Sequence, residues 1–219
     1  MRSFTVAIWS ATPLSSPLAK YATTAAAPVP ELKVVKSNMV EMENLPALDA
    51  VDCLLLSGSK HSSFDNDEWI LRTVNHVPKV HETGRIPITG ICFGHQIIGR
   101  ALGGAELFGA KYLSQKLIPW KSLHQMHRDA VLQSPQGVVN LGTSPACEIQ
   151  GLYIPGTIFS IQAHPEFNAT IMGNILDVRH RQGVFEDKLL DDANRRAHKI
   201  HDREFVGEAI WRFLLEENQ

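Results

Sequence analysis

The chain has 219 residues, of which 44% are hydrophobic and 20% are charged, a balance typical of a soluble domain with a full hydrophobic core. The formal net charge of −2 gives no indication of binding to nucleic acid or to an anionic membrane. Three widely spaced cysteines, an odd number, argue against a disulfide framework.

The apolar segments of the chain are short. None approaches the ~18 residues that a membrane-spanning helix needs, and the apolar part of Met1–Trp9 is too short for a secretory signal. We therefore expect a cytoplasmic protein that consists of one domain over residues 1–219.

The first half of the chain alternates short apolar runs with a longer run of helical periodicity. The predicted elements are strands at Phe4–Trp9, Leu32–Lys36 and Asp52–Leu56, a helix at Glu68–His81 and a strand at Ile86–Ile91. Residues 10–30 contain four prolines and a run of small residues, which permits either a short helix over 17–26 or a loop.

A cysteine flanked by glycines follows the last of these strands. In Gly90-x-Cys92-x-Gly94, glycines allow a sharp strand-to-helix turn because they tolerate crowding and unusual dihedral angles. The following helix is predicted over Ile97–Leu102, and a helix N-terminus favours a thiolate. The pattern therefore predicts a nucleophile at Cys92, with a buried structural cysteine as the alternative.

The second half of the chain continues the alternation. A short link at Lys111–Leu123 is followed by predicted strands at Ala130–Leu132, Cys147–Ile154 and Ile158–Ala163, and by predicted helices at Ile171–Arg181, Phe185–His201 and Phe205–Leu215. Alternating elements of this length indicate an α/β fold of three layers, in which helices cover both faces of a mostly parallel sheet. Sites in such sheets form beyond the carboxyl ends of the strands, where Gly58, Cys92 and His164 are expected.

A histidine and a carboxylate two residues apart follow the last predicted strand, in Gln162-Ala163-His164-Pro165-Glu166. Pro165 ends the strand, and two side chains at this spacing in extended chain can point the same way. A nucleophilic thiolate needs a base and a group that orients the base. Taken alone, the segment favours an ordinary surface turn.

Metal and cofactor sites are not expected. His124 and His127 are three residues apart, but no cysteine or carboxylate cluster completes a metal site. Glycine-rich phosphate loops after a strand are also missing from the sequence, so we predict no nucleotide and no cofactor.

Together, Gly90-x-Cys92-x-Gly94-x-Gln96 and Gln162-x-His164-Pro-Glu166 resemble the class I glutamine amidotransferase family, whose triad is Cys, His and Glu. The resemblance extends from Leu54 to Phe167. It implies a flavodoxin-like fold. Residues 55–59 are similar to the oxyanion loop of the family, and residues 124–129 to its substrate-lining segment, in a form found in the free-standing branch that includes γ-glutamyl peptidases.

The resemblance implies roles for individual residues. Cys92, His164 and Glu166 would form the triad, and the backbone N–H groups of Gly58 and Phe93 would bind the oxyanion. A further set of residues would contact the substrate: Gln96, Gln125, Met126, His127 and Arg128.

The implied activity is hydrolysis of a γ-glutamyl-type amide in a small-molecule substrate, through a thioester on the cysteine. One alternative is a glutaminase subunit that supplies ammonia to a separate synthetase. A biosynthetic enzyme or a non-catalytic protein on the same scaffold is another. Residues 10–30 and 111–123 are shorter than the family pattern, which predicts a more open cleft and a larger substrate than glutamine.

Overall fold

The structure is a computed structural model that describes residues 4–11, 31–41, 45–104, 106–107, 122–145 and 147–215. The possible helix over residues 17–26 lies outside these ranges. So does most of each of the two segments that are shorter than the family pattern.

Nine strands are found within the described residues: β1 (Phe4–Ser10), β2 (Leu32–Asn38), β3 (Cys53–Leu56), β4 (Ile88–Ile91), β5 (Glu106–Leu107), β6 (Ala130–Val131), β7 (Val139–Asn140), β8 (Gly151–Ile154) and β9 (Ile158–Ile161). The described helices are α1 (Glu68–Glu82), α2 (Phe93–Ala101), α3 (Ala169–Arg181), α4 (Asp187–Ala197) and α5 (Arg203–Leu215).

Seven of the described strands form one sheet in the order β2-β1-β3-β4-β9-β8-β7. The five strands from β2 to β9 run parallel, whereas β8 and β7 add an antiparallel edge. Strands β3, β4 and β9 are neighbours, so their carboxyl ends lie side by side at the centre of the sheet. The α/β fold with a mostly parallel sheet, which the sequence predicts, is confirmed.

The central strands send alternate side chains to opposite faces of the sheet. Leu54 and Leu56 of β3 pack in one core with Ile70 of α1 and Ile97 of α2. Leu55, which lies between them in the strand, packs against α5 on the other face of the sheet. The residues of α5 in this second core are Val206, Ile210, Trp211, Phe213 and Leu214. Helices therefore cover both faces, which gives the predicted three layers.

The charged segment before α5 forms α4, which packs against α3. Phe185 and Ala197 join Met172 and Leu176 of α3 in a third, small core. Most of the charged residues of α4 are exposed, whereas Arg196 is 17% exposed and pairs with Asp192 at 2.8 Å. The prediction of a solvated helix in this segment is confirmed, with bounds of Asp187–Ala197.

Two predicted bounds near the centre of the chain differ from the structure by four residues each. Helix α2 begins at Phe93, four residues before the predicted start, because His95 and Gln96 are buried and hydrogen-bonded inside the protein. The strand predicted at Cys147–Ile154 is confined to Gly151–Ile154, and its hairpin partner β7 was not predicted.

Among the described residues, no helix combines the length and the apolar character that are needed to cross a bilayer.

Candidate active site

The candidate nucleophile is the single residue between β4 and α2. Cys92 has φ 52° and ψ −103°, and in the described part of the chain it is the one non-glycine residue with a positive φ. Its N–H donates to the carbonyl of Ile161 in β9 at 2.9 Å, which helps to hold this conformation. Such a backbone geometry costs of the order of 1–3 kcal/mol and is found mainly at functional sites.

The glycines on either side of Cys92 are required by close packing. A Cβ atom on Gly94 would lie 2.1 Å from the carbonyl oxygen of Leu56, and one on Gly90 would lie 2.6 Å from Cδ1 of Ile98. The prediction of crowding at this turn is therefore correct. The prediction that the glycines adopt the unusual dihedral angles is wrong, because Cys92 itself adopts them.

The structure brings His164 and Glu166 into contact beyond the end of β9. Nδ1 of His164 lies 2.7 Å from Oε1 of Glu166. The backbone N–H of His164 donates to the carbonyl of His124 at 2.8 Å, and the Phe167 ring stacks on the imidazole with centroids 3.9 Å apart. These contacts fix the plane of the imidazole ring and direct Nδ1 toward the carboxylate.

Gly58 lies where β3 ends, between the imidazole and the cysteine. A Cβ atom on Gly58 would be 2.8 Å from Cε1 of His164 and 3.8 Å from Cβ of Cys92. Residues that follow β3, β4 and β9 therefore meet beyond the carboxyl ends of these central strands, where the sequence predicts a site for this fold.

The electrostatic environment of His164 favours its protonated form. Burial lowers the pKa of His164, but the negative charges of Glu166 and of Cys92 outweigh burial and raise this pKa to about 10. Near neutral pH the ring is therefore an imidazolium beside the sulfur. A cysteine next to such a cation is favoured as a thiolate.

Two backbone N–H groups next to the cysteine are available for an anion. Within the described residues, neither the N–H of Gly58 nor that of Phe93 donates to an acceptor of the protein. Phe93 is the first residue of α2, and the first N–H groups of a helix have no partner within the helix. The N–H of Cys92 is not available for an anion, because it already donates to the carbonyl of Ile161.

Gln96 differs from the expectation that it contacts substrate. Its amide Oε1 accepts from the hydroxyl of Ser63 at 3.2 Å, and its Nε2 donates to the carbonyl of Asp129 at 2.7 Å and to Oε1 of Gln162 at 3.1 Å. The side chain is buried, and both ends of its amide have hydrogen-bond partners inside the protein. This position favours a supporting role over direct contact with substrate.

Gln125 and His127 also interact with neighbouring residues of the protein. The Gln125 amide lies 2.8 Å from Nε2 of His127 and 3.1 Å from the amide of Gln150. Burial lowers the pKa of His127 to about 4, despite the hydrogen bond from its Nδ1 to the carbonyl of Asp129. Both ring nitrogens of His127 thus contact oxygen atoms of neighbouring residues.

The remaining predicted substrate residues point in different directions. Met126 packs against the small core between α3 and α4. The side chain of Arg128 is 55% exposed and lies 3.4 Å from the carboxylate of Asp129. Arg128 is thus the predicted substrate residue that is most accessible to a charged group of a ligand.

The sequence interpretation assigned no role to Gln162, although this residue belongs to the second motif. Gln162 is fully buried, and its Nε2 lies 3.6 Å from Sγ of Cys92. A polar residue at the end of an apolar strand and two residues before the histidine was the available signal.

No group of three or more His, Cys, Asp or Glu side chains in the described ranges is arranged to hold a metal ion.

Comparisons with known proteins identify the family and agree with the fold. Residues 29–178 match the family described as glutamine amidotransferase class-I. A solved glutamine amidotransferase from Thermotoga maritima superposes with a TM-score of 0.69 at 18% identity, over 97% of this chain and 96% of that one.

Several curated relatives are also similar in sequence. A glutamine amidotransferase-like protein of Schizosaccharomyces pombe is 30% identical over 80% of this chain and 76% of its own length. Gamma-glutamyl peptidase 2 of Arabidopsis thaliana is 30% identical over 70% of this chain and 68% of its own length. One subunit of the glutamine-hydrolysing GMP synthase of Saccharolobus solfataricus is 28% identical over 65% of this chain and 85% of its own length.

The position of Gly58 gives a testable prediction. In Gly58→Ala, the new Cβ displaces the His164 ring from Cys92, so alkylation of Cys92 by iodoacetamide at pH 7 should slow about tenfold. Peptide mass spectrometry measures the rate. Gly173→Ala in α3 is the matched control, since its Cβ would meet no atom within 4 Å. Equal rates in the two variants would show that Gly58 does not position the histidine.

The contact between His164 and Glu166 predicts a pKa that nuclear magnetic resonance can measure. The His164 ring should stay protonated up to about pH 10 in the native protein. In Glu166→Gln its pKa should fall by more than about one unit, because the largest favourable charge is removed. His124 provides a comparison within the same spectrum, since burial and the charges of His201 and His164 lower its pKa to about 4. Titration of His164 near 6.5 in both proteins would contradict the ion pair.

Proposed function

Because the chain belongs to the class I glutamine amidotransferase family, we propose that it is a cysteine-dependent hydrolase that cleaves a γ-glutamyl-type amide. The observation that carries the proposal is the position of the His164 imidazole, which lies 2.7 Å from the Glu166 carboxylate on one side and adjoins Cys92. A nucleophile, a base and an orienting carboxylate are the three groups that acyl transfer requires.

In the first half of the reaction, the Cys92 thiolate attacks the amide carbonyl and a C–S bond forms. The N–H groups of Gly58 and Phe93 donate to the oxygen as it becomes negative, an interaction worth a few kcal/mol per donor. The His164 imidazolium then protonates the amide nitrogen, the C–N bond breaks, and the neutral amine leaves. The products of this half-reaction are a thioester on Cys92 and a neutral His164.

In the second half, neutral His164 takes a proton from water as the water oxygen attacks the thioester. The C–S bond breaks, which restores the thiolate and the imidazolium and releases the γ-carboxylic acid. Glu166 keeps Nδ1–H of His164 oriented throughout, so that Nε2 is the atom that exchanges protons.

The substrate is proposed from the sequence and from the relatives. Two segments that are shorter than the family pattern, 10–30 and 111–123, favour a leaving group larger than ammonia, because a more open cleft makes fewer contacts with glutamine. The gamma-glutamyl peptidases among the relatives support the same choice. The exposed guanidinium of Arg128 is available for a carboxylate of the substrate.

A second candidate function is supply of ammonia to a separate synthetase. The relative that is one subunit of a GMP synthase favours it. This function requires a partner protein, whereas the peptidase function does not, so activity of the purified chain distinguishes them. A biosynthetic enzyme or a non-catalytic protein on this scaffold is the remaining alternative. For either enzyme we propose a cytoplasmic location, where the three free cysteines stay reduced.

The role of Cys92 predicts the outcome of substitution and labelling. Cys92→Ala should abolish turnover and leave the fold intact. Iodoacetamide should label Cys92 faster than Cys53 and Cys147, since burial and the charge of Asp52 raise the pKa of Cys53, and burial raises that of Cys147 to about 11. Residual turnover in Cys92→Ala, or equal labelling of the three cysteines in the native protein, would refute this assignment.

The substrate choice predicts a ratio of rates. The value of kcat/KM for a γ-glutamyl peptide or a γ-glutamyl thiol conjugate should exceed that for glutamine, with no partner protein present. Mass spectrometry of the products with a panel of substrates gives both values, and Cys92→Ala is the blank. If glutamine is preferred tenfold, about 1.4 kcal/mol of transition-state stabilisation, the ammonia-donor function replaces the peptidase function.

A further inference from the structure

The side chain of Gln162 forms a hydrogen bond with the sulfur of Cys92. Within the described residues, no other uncharged side chain does so. Nε2 of Gln162 lies 3.6 Å from Sγ of Cys92, a normal distance for a hydrogen bond to sulfur. The residue follows β9, and its backbone N–H donates to the carbonyl of Gln150 at 2.9 Å. Since the side chain is fully buried, water does not compete for the amide.

The direction of the Gln162 amide is fixed by a backbone carbonyl that is two hydrogen bonds away, through the side chain of Gln96. The carbonyl of Asp129 can only accept, so the end of the Gln96 amide that lies 2.7 Å from it must be the nitrogen. That nitrogen has a second hydrogen, which it donates to Oε1 of Gln162 at 3.1 Å. The other end of the Gln162 amide, its nitrogen, is therefore the end that faces Cys92.

The Gln96 amide is held at its other end as well. Its Oε1 accepts from the hydroxyl of Ser63, which is fully buried in the loop that follows β3. A rotation of the Gln96 amide would place its nitrogen against the Ser63 hydroxyl and its oxygen against two acceptors, the Asp129 carbonyl and Oε1 of Gln162. The arrangement with an N–H donor facing the sulfur is thus the one that gives every group in this series of hydrogen bonds a suitable partner.

An N–H donor distinguishes between the two states of the cysteine. A thiolate is a strong acceptor because it is charged, whereas a neutral thiol accepts weakly. The His164 imidazolium provides the charge that favours the thiolate, and an amide donor adds a second, uncharged contact with the same atom. Gln162 and His164 come from the same segment after β9, so one short segment supplies both contacts.

We propose that Gln162 is a further catalytic residue, which stabilises the Cys92 thiolate through an N–H donor, and that Gln96 is a positioning residue that sets the direction of the Gln162 amide. The proposal rests on the proposed function of Cys92 as nucleophile. It replaces the predicted contact of Gln96 with substrate by an action through Gln162.

The test is the pH at which Cys92 becomes reactive. The rate of alkylation of Cys92 by iodoacetamide is measured between pH 5 and 10 by peptide mass spectrometry, without any substrate. Gln162→Met keeps the length of the side chain and removes the donor, so the midpoint of the rate profile should rise by about one pH unit. Gln96→Met should raise the midpoint as well, and the double variant should not exceed Gln162→Met.

Two further variants keep the result interpretable. Gln162→Glu keeps the shape of the side chain but places an oxygen where the N–H was, so it should also raise the midpoint, even where Gln162→Met folds poorly. Gln150→Met is the matched control, because Gln150 is a buried glutamine whose amide contacts Gln125, Ser144 and the carbonyl of Cys147. Its midpoint should equal that of the native protein.

An unchanged midpoint in folded Gln162→Met or in Gln162→Glu would overturn the role of Gln162. A raised midpoint in Gln162→Met together with an unchanged one in Gln96→Met would overturn the role of Gln96. The assay does not depend on hydrolysis, so these outcomes are distinct from failure of the proposed function, which is a lack of turnover of every γ-glutamyl amide.

Discussion

The site depends on how closely the N-terminus of α2 approaches the end of β3. Gly94 lies directly against the carbonyl of Leu56, and any side chain at this position would push the helix away from the sheet. The short distance leaves one residue, Cys92, to reverse the chain between β4 and α2. That residue takes the strained conformation because the elements on both sides are fixed by the core.

Charge and hydrogen bonding act on the cysteine from different elements. The segment after β9 supplies an imidazole whose pKa is raised to about 10, with a carboxylate behind it. The start of α2 and the end of β3 supply N–H groups without internal acceptors among the described residues. Each group is held by a strand end or a helix start, so the site is organised before substrate binds, which is the condition for electrostatic stabilisation of a transition state.

The sequence was sufficient to predict the architecture, because the apolar runs of β3, β4 and β9 are short and alternate with helical segments. The pairing of the two motifs followed from the resemblance to the family. The sequence could not reveal the start of α2, since its first turn carries polar residues such as His95, which are buried through a hydrogen bond with Ser160 far along the chain. The direction of the Gln162 amide depends on Gln96 and Asp129, which are distant in sequence. Two-residue strands such as β7 carry too little pattern to be predicted.

The backbone of Cys92 also bears on how such a protein changes over evolutionary time. Glycine adopts a positive φ with little strain, so glycine at position 92 would relieve about 1–3 kcal/mol of backbone strain, at the cost of the packing of a buried side chain. A lineage released from selection for catalysis would no longer need the thiol, and glycine at this position would then be open to it. A cysteine in this conformation therefore carries a cost in backbone strain that a use of its thiol would offset.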